Sequence, residues 1–280
     1  MDKWGKRLTI MPAKTVKDLI AFNNSVPDEF KVKVFLESLG DKYMAASFID
    51  ASGEEVTQLS SQRLKYYGKE INQREKSSES GISRFVDPTD KPMFPWGRAS
   101  CKSNSYKDKY QCNNSWFVSL TEAAKGYGPM LYDCLIVKLG ESGYGLTADR
   151  RMVSPLAANV WVNYLINRPD IKRKYLDLDH STPETEDDCY SKHDEYTDWN
   201  TWIKDPEKGK SQSDEEHKEE IEKRRQMRTA VRYAYFDDGI QTLNELKQAG
   251  LLVDKTQKLA ESLALRSLYE SFVRDIKRSF

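Results

Sequence analysis

The apolar positions of the first fifty residues change from helical spacing to strict alternation. Segment 14–23 predicts a short amphipathic helix, because its apolar residues recur at helical spacing. Those residues are Val16, Leu19, Ile20 and Phe22. Residues 31–36 begin with alternating polar and apolar side chains, and a second apolar run occupies residues 43–49. The two runs predict a β-hairpin, with a further turn at residues 50–53.

Residues 58–114 follow neither period. This stretch is polar, and Gly, Ser, Asn and Pro are scattered through it. Phe94 and Trp96 nevertheless favour burial. The pattern predicts an irregular insertion that is anchored to the rest of the protein.

A strand, a glycine turn and a helix are predicted from residue 115 onward. Residues 116–122 are a strand candidate, residues 123–128 form the turn, and leucines repeat at helical spacing along residues 129–139. Pro129 suits the first helical position, because the N–H that proline lacks has no partner there.

A second strand and a second helix are predicted next. Glycines end the first helix and lead to a short strand near residues 145–149. Ser154 is an N-cap candidate before Pro155, and Pro169 ends the helix that they open. This order predicts two parallel strands, or strands that share a mixed sheet with the hairpin. The predicted fold class is therefore α/β (α+β), with a mixed central sheet flanked by helices.

The chain changes character after Tyr175. Residues 177–198 carry nine acidic residues and one basic residue, which indicates a loop or linker. Beyond about residue 219 the pattern predicts helices to the end, over about 219–235, 240–249 and 255–278. The predicted organisation is a core at 1–176 with an insertion at about 51–114, an acidic linker at 177–218, and a C-terminal helical region at 219–280.

The overall charge narrows the function classes. The chain has 44 basic and 44 acidic residues, which argues against a protein that coats nucleic acid through a large basic excess. No run of consecutive apolar residues exceeds four, so we expect a cytoplasmic protein that does not span a membrane. His180, Cys189 and His193 lie close together among carboxylates, but they match no metal-binding spacing. A solvated acidic loop is the favoured interpretation, and no metal site is predicted.

Residues 125–128, Lys-Gly-Tyr-Gly, carry the most informative pattern. Glycines between a strand and a helix let backbone N–H groups approach an anion, and the helix N-terminus adds a partial positive charge. Such a turn could hold a pyrophosphate. It lacks the third glycine of a dinucleotide fold and the G-K-[ST] of a P-loop, so a tight structural turn is the alternative.

The flanking elements extend this pattern. Strand, G-x-G turn, helix, strand and Ala-rich helix together resemble the GNAT family of N-acetyltransferases, and phage-encoded members of it in particular. Gly126 and Gly128 match the family's acetyl-CoA motif, R/Q-x-x-G-x-G/A, while Ala123 stands at the Arg/Gln position. Trp161 stands where the Ala-rich helix of the family often ends in Tyr. The resemblance covers residues 115–168 well and the hairpin loosely.

The resemblance implies direct transfer of an acetyl group from acetyl-CoA, the co-substrate, to an amine inside a ternary complex. Backbone amides of the turn would bind the pyrophosphate, and the pantetheine arm would lie against the strand that contains Leu120. A strand N–H would polarise the thioester carbonyl. The implied cofactor-binding residues are Leu120, Lys125, Gly126, Tyr127, Gly128, Pro129 and Met130.

Two residues are candidates for the proton transfers that the resemblance implies. Glu122 lies at the end of the strand and is a candidate general base for the amine. Tyr164, about one turn after Trp161, is the candidate general acid for the departing thiolate, because the indole N–H of Trp161 is too weakly acidic. A solvated carboxylate and a packed aromatic residue are the respective alternatives.

A second function is also open. A GNAT-like domain could serve as a non-catalytic structural or interaction protein, possibly a phage virion component, and Ala123 and Trp161 favour this alternative. The expected partners are then proteins bound through the C-terminal helices or the acidic linker. For the enzyme, the expected partner is an amine-bearing acceptor of unknown class.

Overall fold

A computed structural model describes residues 13–39, 42–61, 94–103, 115–149, 153–176, 226–227 and 229–256. The fold is a mixed α/β (α+β) arrangement built on one eight-stranded sheet. The strands are β1 Lys33–Ser38, β2 Tyr43–Ile49, β3 Gly97–Lys102, β4 Ser115–Ala123, β5 Gly145–Thr147, β6 Ile171–Tyr175, β7 Tyr233–Asp237 and β8 Leu252–Asp254. The helices are α1 Val16–Asn24, α2 Gly128–Gly140, α3 Pro155–Asn167 and α4 Thr242–Gln248.

The order of strands across the sheet is β6-β7-β5-β4-β3-β2-β1-β8. Strands β4 and β5 are parallel, as are β1 and β8, and the other neighbouring pairs are antiparallel. The predicted hairpin is confirmed as β1 and β2, and the predicted parallel pair is confirmed as β4 and β5. The sheet is therefore mixed, as expected.

Helix α3 starts at the predicted residue, Pro155, while α1 starts two residues after its predicted start and α2 one residue before. Thr15 and Asp18 form a capping box at the start of α1, in which the Thr15 side chain accepts from the Asp18 N–H and the Asp18 carboxylate accepts from the Thr15 N–H. The hydroxyl of Ser154 accepts from the N–H of Ala157 and caps α3. Helix α2 contacts five of the strands, β2 to β5 and β7, and buries most of its length in the main hydrophobic core.

Four strands were not predicted. Strand β3 lies in the stretch that was expected to be irregular, and it is a central strand between β2 and β4. Strand β6 follows the Pro169 stop as an edge strand of mostly charged residues. Strands β7 and β8 interrupt the region that was predicted to be helical throughout.

The helix predicted over about residues 219–235 is wrong at its C-terminal end. Tyr233–Asp237 forms a strand between β5 and β6, because Tyr235 is buried there and its ring stacks on Trp161 at a centroid distance of 5.2 Å. The helix predicted near 240–249 is confirmed as α4. The helix predicted at 255–278 and the linker at 177–218 lie almost wholly outside the described residues.

Candidate functional site

The glycine turn connects the end of β4 to the start of α2. The N–H of Tyr127 donates to the carbonyl oxygen of Ala124 at 2.9 Å, which closes the turn. Gly126 adopts a φ of +87° within this turn. An L-residue with a Cβ atom rarely adopts that conformation, so glycine is required at residue 126 for the turn itself.

Helix α2 begins with backbone N–H groups that point out of its N-terminus. It starts at Gly128 without a side-chain cap, and Pro129 is its second residue rather than the first. The N–H groups of Gly128 and Met130 have no partner within the helix. A Cβ atom on Gly128 would lie 3.9 Å from the Cβ of Ala123, an ordinary contact distance. The position therefore has room that a small ligand group could use.

One of the predicted amide donors is not free to bind an anion. The Tyr127 N–H was expected to contact the pyrophosphate, but it is engaged within the turn. The Tyr127 ring is also buried, edge-on to Phe48 at 5.6 Å. Burial, with a smaller effect of the Asp18 carboxylate, raises the pKa of Tyr127 to about 12. The Met130 side chain is buried as well, while Lys125 is exposed at the turn.

A segment from the start of the described chain packs against the turn. The N–H of Lys14 donates to the carbonyl oxygen of Gly126 at 2.9 Å. The N-terminus of α1 therefore lies beside that of α2. Sequence reasoning missed this contact: the Thr15 and Asp18 capping box marks a helix start, but no local pattern places that start next to the glycine turn.

Strand β4 continues well beyond its parallel neighbour. All three residues of β5 pair with residues 115–117 of β4, and β4 runs on to Ala123. We call residues 118–123 the open edge of β4, since no described strand pairs with them on that side. A register shift in the pairing with β3 leaves Ser119 as the extra residue of a bulge, two residues after the last residue of β4 that pairs with β5.

Two backbone amides point out of this open edge. The N–H of Ala124 donates to the carbonyl oxygen of Trp96, on the β3 side. Because N–H directions alternate along a strand, those of Thr121 and Ala123 face away from β3. The open edge thus presents two amides in the same direction, next to the glycine turn.

The side chains of β4 divide between two faces of the sheet. Leu120 and Glu122 are exposed on one face. Thr121 points to the other face, where its Oγ1 accepts from the Tyr132 hydroxyl of α2 at 2.8 Å. Arg98, the register partner of Glu122, is bonded to the carboxylates of Glu37 and Glu55.

Tyr132 lies under the open edge of β4. Burial raises the pKa of Tyr132 to about 12, the Thr121 hydrogen bond lowers it, and the nearby Asp149 carboxylate raises it further. Asp149 follows β5, so the phenol lies between the end of β5 and Thr121 of β4. Since Tyr132 occupies an acceptor site of the Thr121 hydroxyl, the Thr121 hydrogen is left to donate elsewhere.

Tyr164 occupies a different environment from the one expected of a general acid. Its side chain is fully buried, and its hydroxyl lies 2.7 Å from Oδ1 of Asp133 and 2.9 Å from the Pro129 carbonyl oxygen. Asp133 also accepts from Arg168 at 3.0 Å and from Thr242 at 2.8 Å. This buried cluster joins α2, α3 and α4. The structure therefore brings Tyr164 to the packing between helices and not to the open edge with Glu122.

The surroundings of this cluster raise the pKa of both Asp133 and Tyr164. Burial raises the pKa of Asp133, and the Arg168 guanidinium lowers it again in part. Burial, with the Asp133 charge, also raises the pKa of Tyr164 well above its ordinary value. A phenol in this state is a hydrogen-bond donor that stabilises the fold.

Comparison of the chain with protein-family models, with curated proteins and with solved structures finds no match. Within the described ranges, no group of three or more His, Cys, Asp or Glu side chains is placed to hold a metal ion. No helix in the same ranges is long and apolar enough to cross a membrane. His180, Cys189 and His193 lie outside the described residues.

Proposed function

We propose that this protein is an acetyl-CoA-dependent N-acetyltransferase that moves an acetyl group to an amine by direct transfer in a ternary complex. The observation that carries the proposal is the open edge of β4, which continues beyond its pairing with β5 and leads directly into the glycine turn. The GNAT arrangement of the sheet and the enzyme activity are both part of this proposal.

The open edge supports binding of the pantetheine arm. Pantetheine is an extended chain that contains two amides, and such a chain can add to a sheet edge through main-chain hydrogen bonds. The amides of Thr121 and Ala123 face the space that the arm would occupy. Leu120, which is 53% exposed, offers apolar contact on one side of that edge.

The glycine turn supports binding of the diphosphate. The N–H groups of Gly128 and Met130 begin α2 without intrahelical partners. Together with the positive end of the helix dipole they favour an anion. Lys125 adds a positive charge from an exposed position in the turn. Gly126 contributes its backbone conformation, and Pro129 supplies a fixed first turn of the helix.

The proposed reaction requires a base on the acceptor side. Glu122 is exposed at the end of β4, where it can take a proton from the ammonium form of the acceptor. The neutral nitrogen then attacks the thioester carbon, the C–S bond breaks, and one N–H proton of the attacking amine ends on the sulfur of coenzyme A. Tyr164 is not a suitable proton donor for that step, because its hydroxyl is buried and engaged. Thr121, in the open edge itself, has a hydroxyl hydrogen that can donate to the ligand.

A specific observation favours the second candidate function, a GNAT-like structural or interaction protein. Trp161 is buried against Tyr132 and Tyr235, so the residue at the expected tyrosine position contributes only packing. Ala123 likewise provides no side chain for the phosphates. If the protein is a virion component, mass spectrometry of purified particles will detect it, and its absence from particles contradicts this alternative.

A thermal shift measurement tests the proposed function. A ligand that binds only the folded protein stabilises it by about 2.7 kcal/mol at a hundredfold excess over Kd, so millimolar acetyl-CoA should raise Tm. Gly128→Val should abolish the rise, because its methyl groups fill the space in front of the helix N-terminus. Ala157→Val, in the first turn of α3, is the matched control and should retain it. No rise with the unmodified protein contradicts the proposed function.

A further inference from the structure

The segment before α1 brings a second cationic side chain to the glycine turn. The Lys14 N–H binds the Gly126 carbonyl oxygen at 2.9 Å, so the Lys14 backbone is fixed beside the turn. Lys125 lies within the turn itself. Two lysines and the N-termini of two helices, α1 and α2, therefore surround the same short segment of chain. The two lysines and the N-terminus of α2 favour negative charge, whereas the N-terminus of α1 is already capped by Thr15 and the Asp18 carboxylate.

The Lys14 side chain is weakly held in its present position. Its Nζ lies 3.5 Å from Oδ1 of Asp18, and more than a third of each side chain is exposed. Such surface pairs contribute little to stability. Asp18 does not depend on Lys14, because its Oδ2 accepts from the Thr15 N–H at 2.7 Å and from the Thr15 hydroxyl at 2.8 Å. Lys14 can therefore leave Asp18 without unpairing that carboxylate.

We propose that Lys14 is a second cationic ligand of the diphosphate, leaving Asp18 and turning to the glycine turn when the coenzyme binds. This inference rests on the proposed function, since it assigns a further residue to the same site. Lys14 provides charge to the ligand, while its backbone N–H holds the turn whether or not the ligand is present. The turn thereby receives cations from two distant parts of the chain.

The experiment separates the diphosphate from the rest of the coenzyme. Isothermal titration calorimetry of the full chain would use three probes: acetyl-CoA, ADP, which has the diphosphate without the arm, and pantetheine, which has the arm without the diphosphate. Lys14→Gln should lower the affinity for acetyl-CoA and for ADP about tenfold and leave the affinity for pantetheine unchanged. Lys14→Arg keeps the positive charge, so its affinities for acetyl-CoA and ADP should stay within about threefold of those of the unmodified protein. Lys17→Gln is the matched control, because Lys17 is exposed in the first turn of α1, three residues after Lys14, and it should change the affinity for none of the three probes.

The outcomes distinguish the role of Lys14 from the proposed acetyltransferase function. Equal acetyl-CoA affinity for the unmodified protein and for Lys14→Gln overturns the role of Lys14 and leaves the proposed function intact. An equal loss of acetyl-CoA affinity in Lys17→Gln also overturns the role of Lys14, since any nearby positive charge would then have the same effect. Binding of ADP but not acetyl-CoA, with a loss in Lys14→Gln, supports Lys14 and contradicts the acetyltransferase. If the unmodified protein binds neither acetyl-CoA nor ADP, both the role of Lys14 and the proposed function are overturned. The two Lys14 variants should fold, because each keeps the backbone N–H that binds the Gly126 carbonyl oxygen.

Discussion

The hydroxyl of Tyr164 lies 2.7 Å from Oδ1 of Asp133, and both side chains are buried. The same carboxylate binds Arg168 of the segment after α3 and Thr242 of α4. A residue that the sequence marks as a candidate general acid is thus one member of a cluster that joins three helices. The Tyr164 hydroxyl is therefore engaged in the packing of α2, α3 and α4.

Tyr164→Phe should affect stability and not coenzyme binding. The substitution removes one donor to a buried carboxylate, which costs about 1–3 kcal/mol. Urea unfolding measures this loss, and the acetyl-CoA thermal shift should be unchanged. Tyr175→Phe is the control, because Tyr175 is about half exposed and should lose little. Unchanged stability together with lost acetyl transfer would restore the role of general acid.

Arg168→Met should destabilise the protein in a pH-dependent way. It leaves Asp133 as a buried and less compensated charge, at a cost of about 3–5 kcal/mol at neutral pH. The folded-state pKa of Asp133 is raised above its unfolded value, so this group stabilises the fold most below the unfolded pKa and loses that contribution as pH rises through the folded pKa. Removing Arg168 raises the folded pKa further. The deficit of the variant should therefore shrink as the pH falls toward about 4.

The control for this pH dependence is Lys172→Met, at an exposed position of β6. Its free energy of unfolding, measured by urea titration across the same pH range, should follow that of the unmodified protein. A deficit of Arg168→Met that stays constant with pH would show that Asp133 is not the group responsible.

Gly97→Ala should distort the strand end that precedes the glycine turn. Gly97 has a φ of +132°, and a Cβ atom there would lie 2.3 Å from the Glu122 carbonyl oxygen. Backbone strain and the clash together should cost about 3 kcal/mol or more. Gly53→Ala is a matched control, since its φ is +87° with nothing within 4 Å of the added atom, and it should cost about 1 kcal/mol. Equal losses for the two variants in urea unfolding would contradict the close approach of β3 and β4.

Glu122→Gln should slow acetyl transfer while leaving acetyl-CoA binding intact. Removing a general base typically lowers the rate by about 10²–10⁴-fold. The measurement is release of coenzyme A with an acceptor amine identified by mass spectrometry of acetylated products. Glu54→Gln, in an exposed turn, is the control and should be fully active. A Glu122→Gln protein with unchanged turnover would exclude Glu122 as the base.

Local signals explain which elements could be predicted. The cap at Ser154 and the glycines after β4 each fix the backbone through neighbouring residues, and both were predicted; the capping box at Thr15 is a local signal of the same kind that was missed. The pairing of β4 with β5 followed from the helix between them. These signals depend on short stretches of chain.

The strands that escaped prediction depend on distant partners. In β3 the small residues Ala99 and Cys101 are buried in the main hydrophobic core, where helix α2 packs against β3. In β6 the charged residues suit an edge strand, which pairs on one side only. The run at 233–236 reads equally well as helix or strand, and the stacking of Tyr235 on Trp161 accompanies the strand.

The candidate site likewise combines local features that the sequence predicts with contacts between distant elements that it does not. The glycine turn and the start of α2 were predicted because glycine and proline act through their own backbone geometry. The contact of Lys14 with Gly126 and that of Tyr132 with Thr121 join separate elements, and no spacing in the sequence encodes them. The bonds of the Tyr164 hydroxyl to Asp133 and to the Pro129 carbonyl oxygen were not foreseen, because the distance of Tyr164 from Trp161 along the helix does not reveal which way the hydroxyl points.

Amide hydrogen exchange with and without acetyl-CoA tests the central claim most directly. The claim is that the open edge of β4 and the glycine turn together bind the coenzyme. Millimolar acetyl-CoA should slow exchange at the amides of Thr121, Ala123 and Gly128, while the amides of the β1–β2 hairpin keep their rates. Unchanged exchange across residues 118–130, or protection confined to other parts of the chain, would contradict the claim.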